Sequence, residues 1–224
     1  TYYFITLYAN ASGYEAKTSF ASTDVLDRYL LAKTRDLVAN VEQAMNQFDS
    51  YAATGHLRDF ADVLTNWYVR RSRDRFWEGS VEAFDTLYTV LETVCRVAAP
   101  LLPMVTEEVW RGLTGERSVH LQSYPDANLF TADQELVAAM DEVRAASSVA
   151  QSLRKAAGLR VRLPLSKLVV VATGSASMLQ FADLLKDELN VKSVEIVELA
   201  IDSATEFGVV KRLTVNARAA GPRL

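Results

Sequence analysis

Apolar residues recur at helical intervals through the first two-thirds of the chain. Leu26, Leu30, Leu37, Val41, Ala44 and Phe48 form one stripe, with Thr23 and Asp24 supplying helix-start chemistry before it. Gly55 punctuates the pattern, and a second helix is expected from near Leu57, with Phe60, Val63, Leu64 and Trp67 on one face. Gly79-Ser80 interrupts it. Ser80 can cap a third helix, on which Val81, Phe84, Leu87, Leu91, Val94 and Ala98 repeat at three or four. Pro100 and Pro103 stop that helix, because proline lacks an amide donor and its ring clashes with the preceding turn. A short helix over 105–113 follows, then a loop over 115–128 holding a brief extended piece at Val119-His120-Leu121. Thr131 with Gln134 matches a capping box. It opens a long helix lined by Leu136, Met140, Val143, Ser147, Ala150 and Leu153, with Gly158 as its C-terminal stop.

The period then changes. Leu159, Val161 and Leu163 alternate with Arg160 and Arg162, as in a half-buried strand. A β-branched run over 167–172 predicts another strand, 176–189 an amphipathic helix, Val194, Ile196 and Leu199 a further strand, and 209–215 one more. The expected fold is mainly α: a helical bundle over 1–145, then a connecting helix and a small α/β domain over 146–224. No internal repeat is visible.

With 224 residues, half of them hydrophobic, the chain can bury a real core in one or two domains. No apolar run approaches the roughly 18 residues of a membrane-spanning helix, so no membrane partner is expected. The opening Thr1-Tyr2-Tyr3-Phe4 lacks the basic start and cleavage pattern of a secretory signal. It also lacks Met and begins inside an apolar segment, as an excised piece of a longer protein would. Cys95 is the sole cysteine, which excludes an intrachain disulfide and a multi-thiolate zinc site and fits a cytoplasmic setting. The net charge of −4 excludes a uniformly basic surface but leaves room for a local basic patch.

The densest chemistry lies in Asn66-Trp67-Tyr68-Val69-Arg70-Arg71-Ser72-Arg73-Asp74-Arg75-Phe76-Trp77, with four arginines and four aromatics in twelve residues. On a regular helix Arg70, Arg73 and Trp77 share one face, and Arg71, Asp74 and Arg75 another. Arginine's planar fork suits phosphate, and flat aromatic rings accept unstacked RNA bases at roughly 1–3 kcal/mol each. The plainer reading puts Trp67 in the core, has Arg71 extend the core stripe and pair with Glu107 or Glu108, and leaves Arg73 and Arg75 merely solvated. A second basic cluster, Arg154, Lys155, Arg160 and Arg162, marks either a phosphate contact or a solvated helix end. Catalytic constellations are poor. His56 and His120 stand far apart, Cys95 lies on an apolar face, adjacent Glu107 and Glu108 point in different directions, and no glycine-rich phosphate loop is present.

The twelve-residue segment closely resembles the signature helix in the anticodon-binding domain of isoleucyl-tRNA synthetases. The surroundings agree in order. Leu26-Asp27-Arg28-Tyr29 resembles the opening of the bundle's first long helix in the valyl, leucyl and isoleucyl enzymes. The stretch from Ala99-Pro100 to Val109-Trp110 is similar to the family's double-proline junction. Ser118-Val119-His120-Leu121 and Tyr124-Pro125 fit the loop after it, and Val161-Arg162-Leu163-Pro164-Leu165 and Glu188-Leu189-Asn190-Val191-Lys192 look like elements of the following small domain. The resemblance implies recognition of the anticodon stem-loop of isoleucine tRNA within an ATP-dependent ligase. Its implied tRNA contacts are Arg70, Arg71, Arg73, Arg75, Trp77 and Trp67, with Arg154, Lys155, Arg160 and Arg162 as a second set. The family's two ATP-site signatures and its editing domain are absent here. ATP would therefore bind in a catalytic domain elsewhere in the same polypeptide, and this piece would be non-catalytic, with no cofactor or metal of its own. The family pattern also continues past Leu224. Two rivals stand beside this reading. A valyl enzyme would carry a different sequence after the shared Trp-Tyr pair. A helical protein-interaction module would bury all the aromatics.

Overall fold

A computed structural model describes residues 1–172 and 175–198. Its contacts divide the chain into two compact units, Thr1–Ala138 and Ala139–Leu224. The division falls several residues before the boundary expected at 145.

The first unit is helical. In chain order it contains α1 (Tyr2–Ser12), α2 (Val25–Asn46), α3 (Ser50–Asp62), a π-helical segment (Val63–Val69), α4 (Arg73–Trp77), α5 (Val81–Ala98) and α6 (Pro103–Thr114). Two 3₁₀ turns follow, Val119–Leu121 and Ala127–Leu129, before α7 (Gln134–Ala156) leads out of the unit. α2 packs on α3 and α5, and α5 packs on α6 and α1. Tyr29, Leu30, Val38 and Val41 of α2 and Phe84, Leu87 and Val90 of α5 are fully buried. The caps follow the residue chemistry. The Asp24 carboxylate accepts from the amides of Leu26 and Asp27, and Ser80 Oγ accepts from Ala83.

Three local expectations change. Gly55 lies inside α3, which begins earlier because the Asp49 carboxylate caps it through the Ala52 amide. Val119–Leu121 is a 3₁₀ turn rather than extended, with Ser118 Oγ accepting from the His120 amide. At the start of α7 the cap is Asp133, not Thr131, since its carboxylate accepts from the Leu136 amide.

Cys95 is buried with Ala99, Trp110 and Val119. Burial, with a smaller contribution from Glu92, pushes its thiol up to about 12. Native protein at pH 8 should therefore react with a disulfide reagent roughly a hundredfold or more slower than urea-unfolded protein, because the thiolate is the nucleophile. The raised value also gives a sign. The thiol's contribution to stability is complete below its ordinary value of 9.0 and is lost as the pH rises through about 12.

The second unit contains the rest of α7, β1 (Leu168–Ala172), α8 (Ser175–Leu179), α9 (Ala182–Leu189) and β2 (Val194–Glu198). β1 and β2 pair in parallel, Leu168 opposite Val194 through Ala172 opposite Glu198. A parallel pair needs a crossover, which α8 and α9 provide. They replace the single helix expected over 176–189, with a tight turn in which the Phe181 amide donates to the Met178 carbonyl. Met178, Phe181, Leu185 and Leu189 are buried. The strand expected over 209–215 lies outside the described residues. The strand expected at Leu159-Arg160-Val161-Arg162-Leu163 is instead an irregular loop. Its carbonyls are taken by a side chain, Arg154, rather than by a neighbouring strand. Among the described residues no helix is long and apolar enough to cross a membrane.

Candidate nucleic-acid interface

The arginine-aromatic segment is not one regular helix. The π-helical turns widen it over Val63–Val69, and the chain turns again at Ser72 before α4. Side chains are therefore not distributed as a 3.6-residue period predicts. Trp67 is 4% exposed and belongs to the core. Arg71 is half-buried, with its guanidinium carbon 5.7 Å from the centre of the Trp67 ring, a cation–π arrangement. Glu107 does not serve Arg71. Its carboxylate accepts from Ser118 Oγ, the Val119 amide and Arg111.

Arg75 is tied inward. Its two terminal nitrogens donate to the two oxygens of Asp27, each at 2.7 Å, and one lies 3.1 Å from Asp24. Tyr68 Oη donates to Asp27 at 2.8 Å, and Ser22 Oγ donates to the other oxygen of Asp27 at 2.8 Å. Burial alone would lower the Arg75 pKa, but the hydrogen bonds to Asp27 and the charges of Asp27 and Asp24 outweigh it and raise the value. Burial, then the charge and hydrogen bond of Asp27, drive the Tyr68 phenol well above its ordinary value. This network clamps the segment to the start of α2. As an ion-paired, half-buried group, Arg75 serves the fold rather than the surface.

What remains outward is Arg70, Arg73 and Trp77. Arg70 is exposed, with Nε donating to the Asn66 carbonyl at 2.8 Å. Arg73 is exposed and makes no ion pair among the described residues. Trp77 is 81% exposed and lies edge-on to Tyr8 of α1, with ring centres 6.5 Å apart. The neighbouring Phe76 is buried, packed edge-on against Phe4 and Phe84. Tyr8 was not among the expected contacts. Its signal is the spacing of Phe4 and Tyr8, which places two aromatics on one face of α1.

The family profile described as the anticodon-binding domain of tRNA ligase matches residues 27–169. The chain belongs to that family. It is also similar to isoleucine–tRNA ligases. That of Leifsonia xyli subsp. xyli is 63% identical over 230 residues, covering 100% of this chain and 20% of that protein. That of Corynebacterium efficiens is 54% identical over 226 residues, covering 100% of this chain and 21% of its own length. That of Mycobacterium tuberculosis is 53% identical over 224 residues, with the same shares of 100% and 21%. The chain thus spans about a fifth of the length of the curated relatives it matches.

The second basic cluster of this anticodon-binding chain divides in the same way. Lys155, Arg160 and Arg162 are exposed and make no ion pair among the described residues. Arg154 is 5% exposed, and its guanidinium is occupied by backbone carbonyls. A group so enclosed has no face left for a phosphate. Among the described residues no cluster of His, Cys, Asp and Glu is suited to hold a metal.

Proposed function

We propose that this chain grips the anticodon stem-loop of isoleucine tRNA, as the non-catalytic part of an ATP-dependent isoleucine–tRNA ligase of the cytoplasm. Amino-acid activation, with its ATP site, belongs to a catalytic domain of the same polypeptide. The observation that carries the reading is a large aromatic left in solvent, Trp77, on a segment that also exposes Arg70 and Arg73. A tryptophan this exposed adds little to the fold beyond its edge contact with Tyr8, whereas a base stacked on it contributes about 1–3 kcal/mol. The Arg75–Asp27 clamp holds that ring on a rigid support, so little freedom is lost on binding. Tyr8 extends the aromatic surface beside it. In this reading Arg70 and Arg73 would meet phosphates, and Arg71 stiffens the base of the segment by covering Trp67.

The test is titration of this chain with isoleucine tRNA and valine tRNA, side by side at low salt. The isoleucine tRNA should bind more tightly. Trp77→Ala should weaken it by about 1–3 kcal/mol while leaving stability within about 0.5 kcal/mol, as for a surface change. Arg73→Ala should flatten the dependence of log K on log salt by about 0.7, one single-strand phosphate. Trp77→Ala binding isoleucine tRNA as tightly as wild type would sink the base-stacking role, and equal affinity of wild type for the two tRNAs would sink the isoleucine assignment.

A further inference from the structure

Arg154 stands out in the second unit as a buried cation spent on backbone. Nη1 donates to the Leu189 carbonyl at 2.6 Å. Nη2 donates to the carbonyls of Arg160 at 2.7 Å, Val161 at 3.1 Å and Leu163 at 2.6 Å. The Val161 carbonyl is held a second time, by Asn190 Nδ2 at 3.2 Å, from the left-handed residue that ends α9. Loop 159–164 has neither helix nor ladder; it turns on the Leu163 amide donating to the Arg160 carbonyl, and two side chains tie it down further.

A loop that only joined α7 to β1 would not need this. Surface carbonyls are satisfied by water, and connecting loops tolerate disorder. The fixed loop instead displays Arg160 and Arg162 outward, with Lys155 exposed one turn back on α7. The charge along this stretch of the sequence is one-sided. Residues 145–182 hold five cations, Arg154, Lys155, Arg160, Arg162 and Lys167, and no Asp or Glu, in a chain whose net charge is −4. Lys167 is paired with Glu195. Residues 145–180 also contain no aromatic side chain on which a base could stack.

We propose that Arg154 is a positioning residue: buried, it holds loop 159–164 in the shape that offers Arg160 and Arg162 to the phosphate backbone of RNA, with Lys155 on the adjoining end of α7. The inference rests on the tRNA-binding reading above and adds a second, sequence-independent grip to it. Fixed cations give up less conformational freedom on meeting phosphate than cations on a loose loop. Arg154 touches no RNA itself.

The experiment uses the whole chain and isoleucine and valine tRNA transcripts, with affinity measured from low to moderate salt. Arg160→Ala/Arg162→Ala should lower the slope of log K against log salt by about 1.8 if both meet duplex phosphates, and by the same amount for both tRNAs. Arg154→Lys keeps the charge but loses the fork. Amide exchange should quicken in 159–163 while β1 and β2 stay protected, and the slope should fall as in the double variant although both exposed arginines remain. Asn190→Gly keeps the left-handed backbone and drops only the second tie to Val161. It leaves the buried guanidinium in place, so loop exchange and slope must shift together in it too, by less. A double variant with the wild-type slope overturns the phosphate grip. A loosened loop in Arg154→Lys or Asn190→Gly with an unchanged slope overturns the positioning role. Wild-type chain that binds neither tRNA overturns the underlying reading, whereas binding that depends on Trp77 but not on Arg160 and Arg162 overturns this inference alone.

Discussion

Asp27→Ala is expected to destabilise the helical unit by about 3–5 kcal/mol, the range for removing one partner from a buried ion pair. Asp27 is 0% exposed and accepts four hydrogen bonds, two from Arg75 and one each from Tyr68 and Ser22. Without it, among the described residues Arg75 keeps only Asp24, and Tyr68 Oη keeps only a 3.5 Å contact with the Ala83 carbonyl. Arginine cannot escape the loss by deprotonating, because its pKa lies far above any working pH. Urea unfolding followed by tryptophan fluorescence isolates this unit, since Trp67, Trp77 and Trp110 all lie within Thr1–Ala138. The triple variant Asp27→Leu/Tyr68→Phe/Arg75→Met should recover most of the loss, because an apolar set of similar volume replaces a charge that must be paired. If Asp27→Ala alone shifts stability by less than about 1 kcal/mol, the ordinary effect of a point change, water solvates Arg75 there. The clamp would then not be what holds the segment in place.

The second large effect is at Trp110. Its indole is 2% exposed and packs with Cys95, Ala99, Val109 and Val119. Trp110→Ala should lose about 3–5 kcal/mol, as large-to-small changes in a closed core do. Trp110→Phe should lose markedly less than its change in volume suggests. The buried indole N–H has no hydrogen-bond partner among the described residues, so removing it also removes a desolvation penalty of about 1–3 kcal/mol. The same unfolding assay reads both variants through Trp67 and Trp77. A Trp110→Phe loss as large as its change in volume suggests would mean that the indole N–H is satisfied in solution.

Much of the helical frame is legible in the chain. The stripe from Leu26 to Ala44, the stripe along 81–98, the Ser80 cap and the double-proline stop are each set by residues within a few positions of one another, although Phe48, expected to extend the first stripe, lies past α2 and is exposed. α2, α5 and α6 accordingly form where the periodicity places them. The misplaced pieces have separate causes. Loop 159–164 alternates like a strand, yet alternation states only which residues differ in polarity, not what receives their carbonyls, and Arg154 takes that part. Gly55 looks like a break, but an exposed helix absorbs one glycine at a penalty of about 1 kcal/mol.

The functional segment divides along the same line. Its composition announces arginine and aromatic chemistry, and the family signature in it names the role, because both are properties of adjacent residues. The composition does not say which arginine faces out. A regular helix would put Arg71, Asp74 and Arg75 on one face as equals. Instead the π-helical turns and the turn at Ser72 leave Asp74 exposed, lay Arg71 on Trp67, and bring Arg75 to Asp27, 48 residues away in sequence. Arg154 likewise finds its carbonyls on Leu189 and on the loop it encloses. Helix, cap and motif depend on local spacing and so are written in order along the chain. Whether a cation is free for phosphate or consumed by the fold depends on partners from distant segments, and those meet only when the core closes around them.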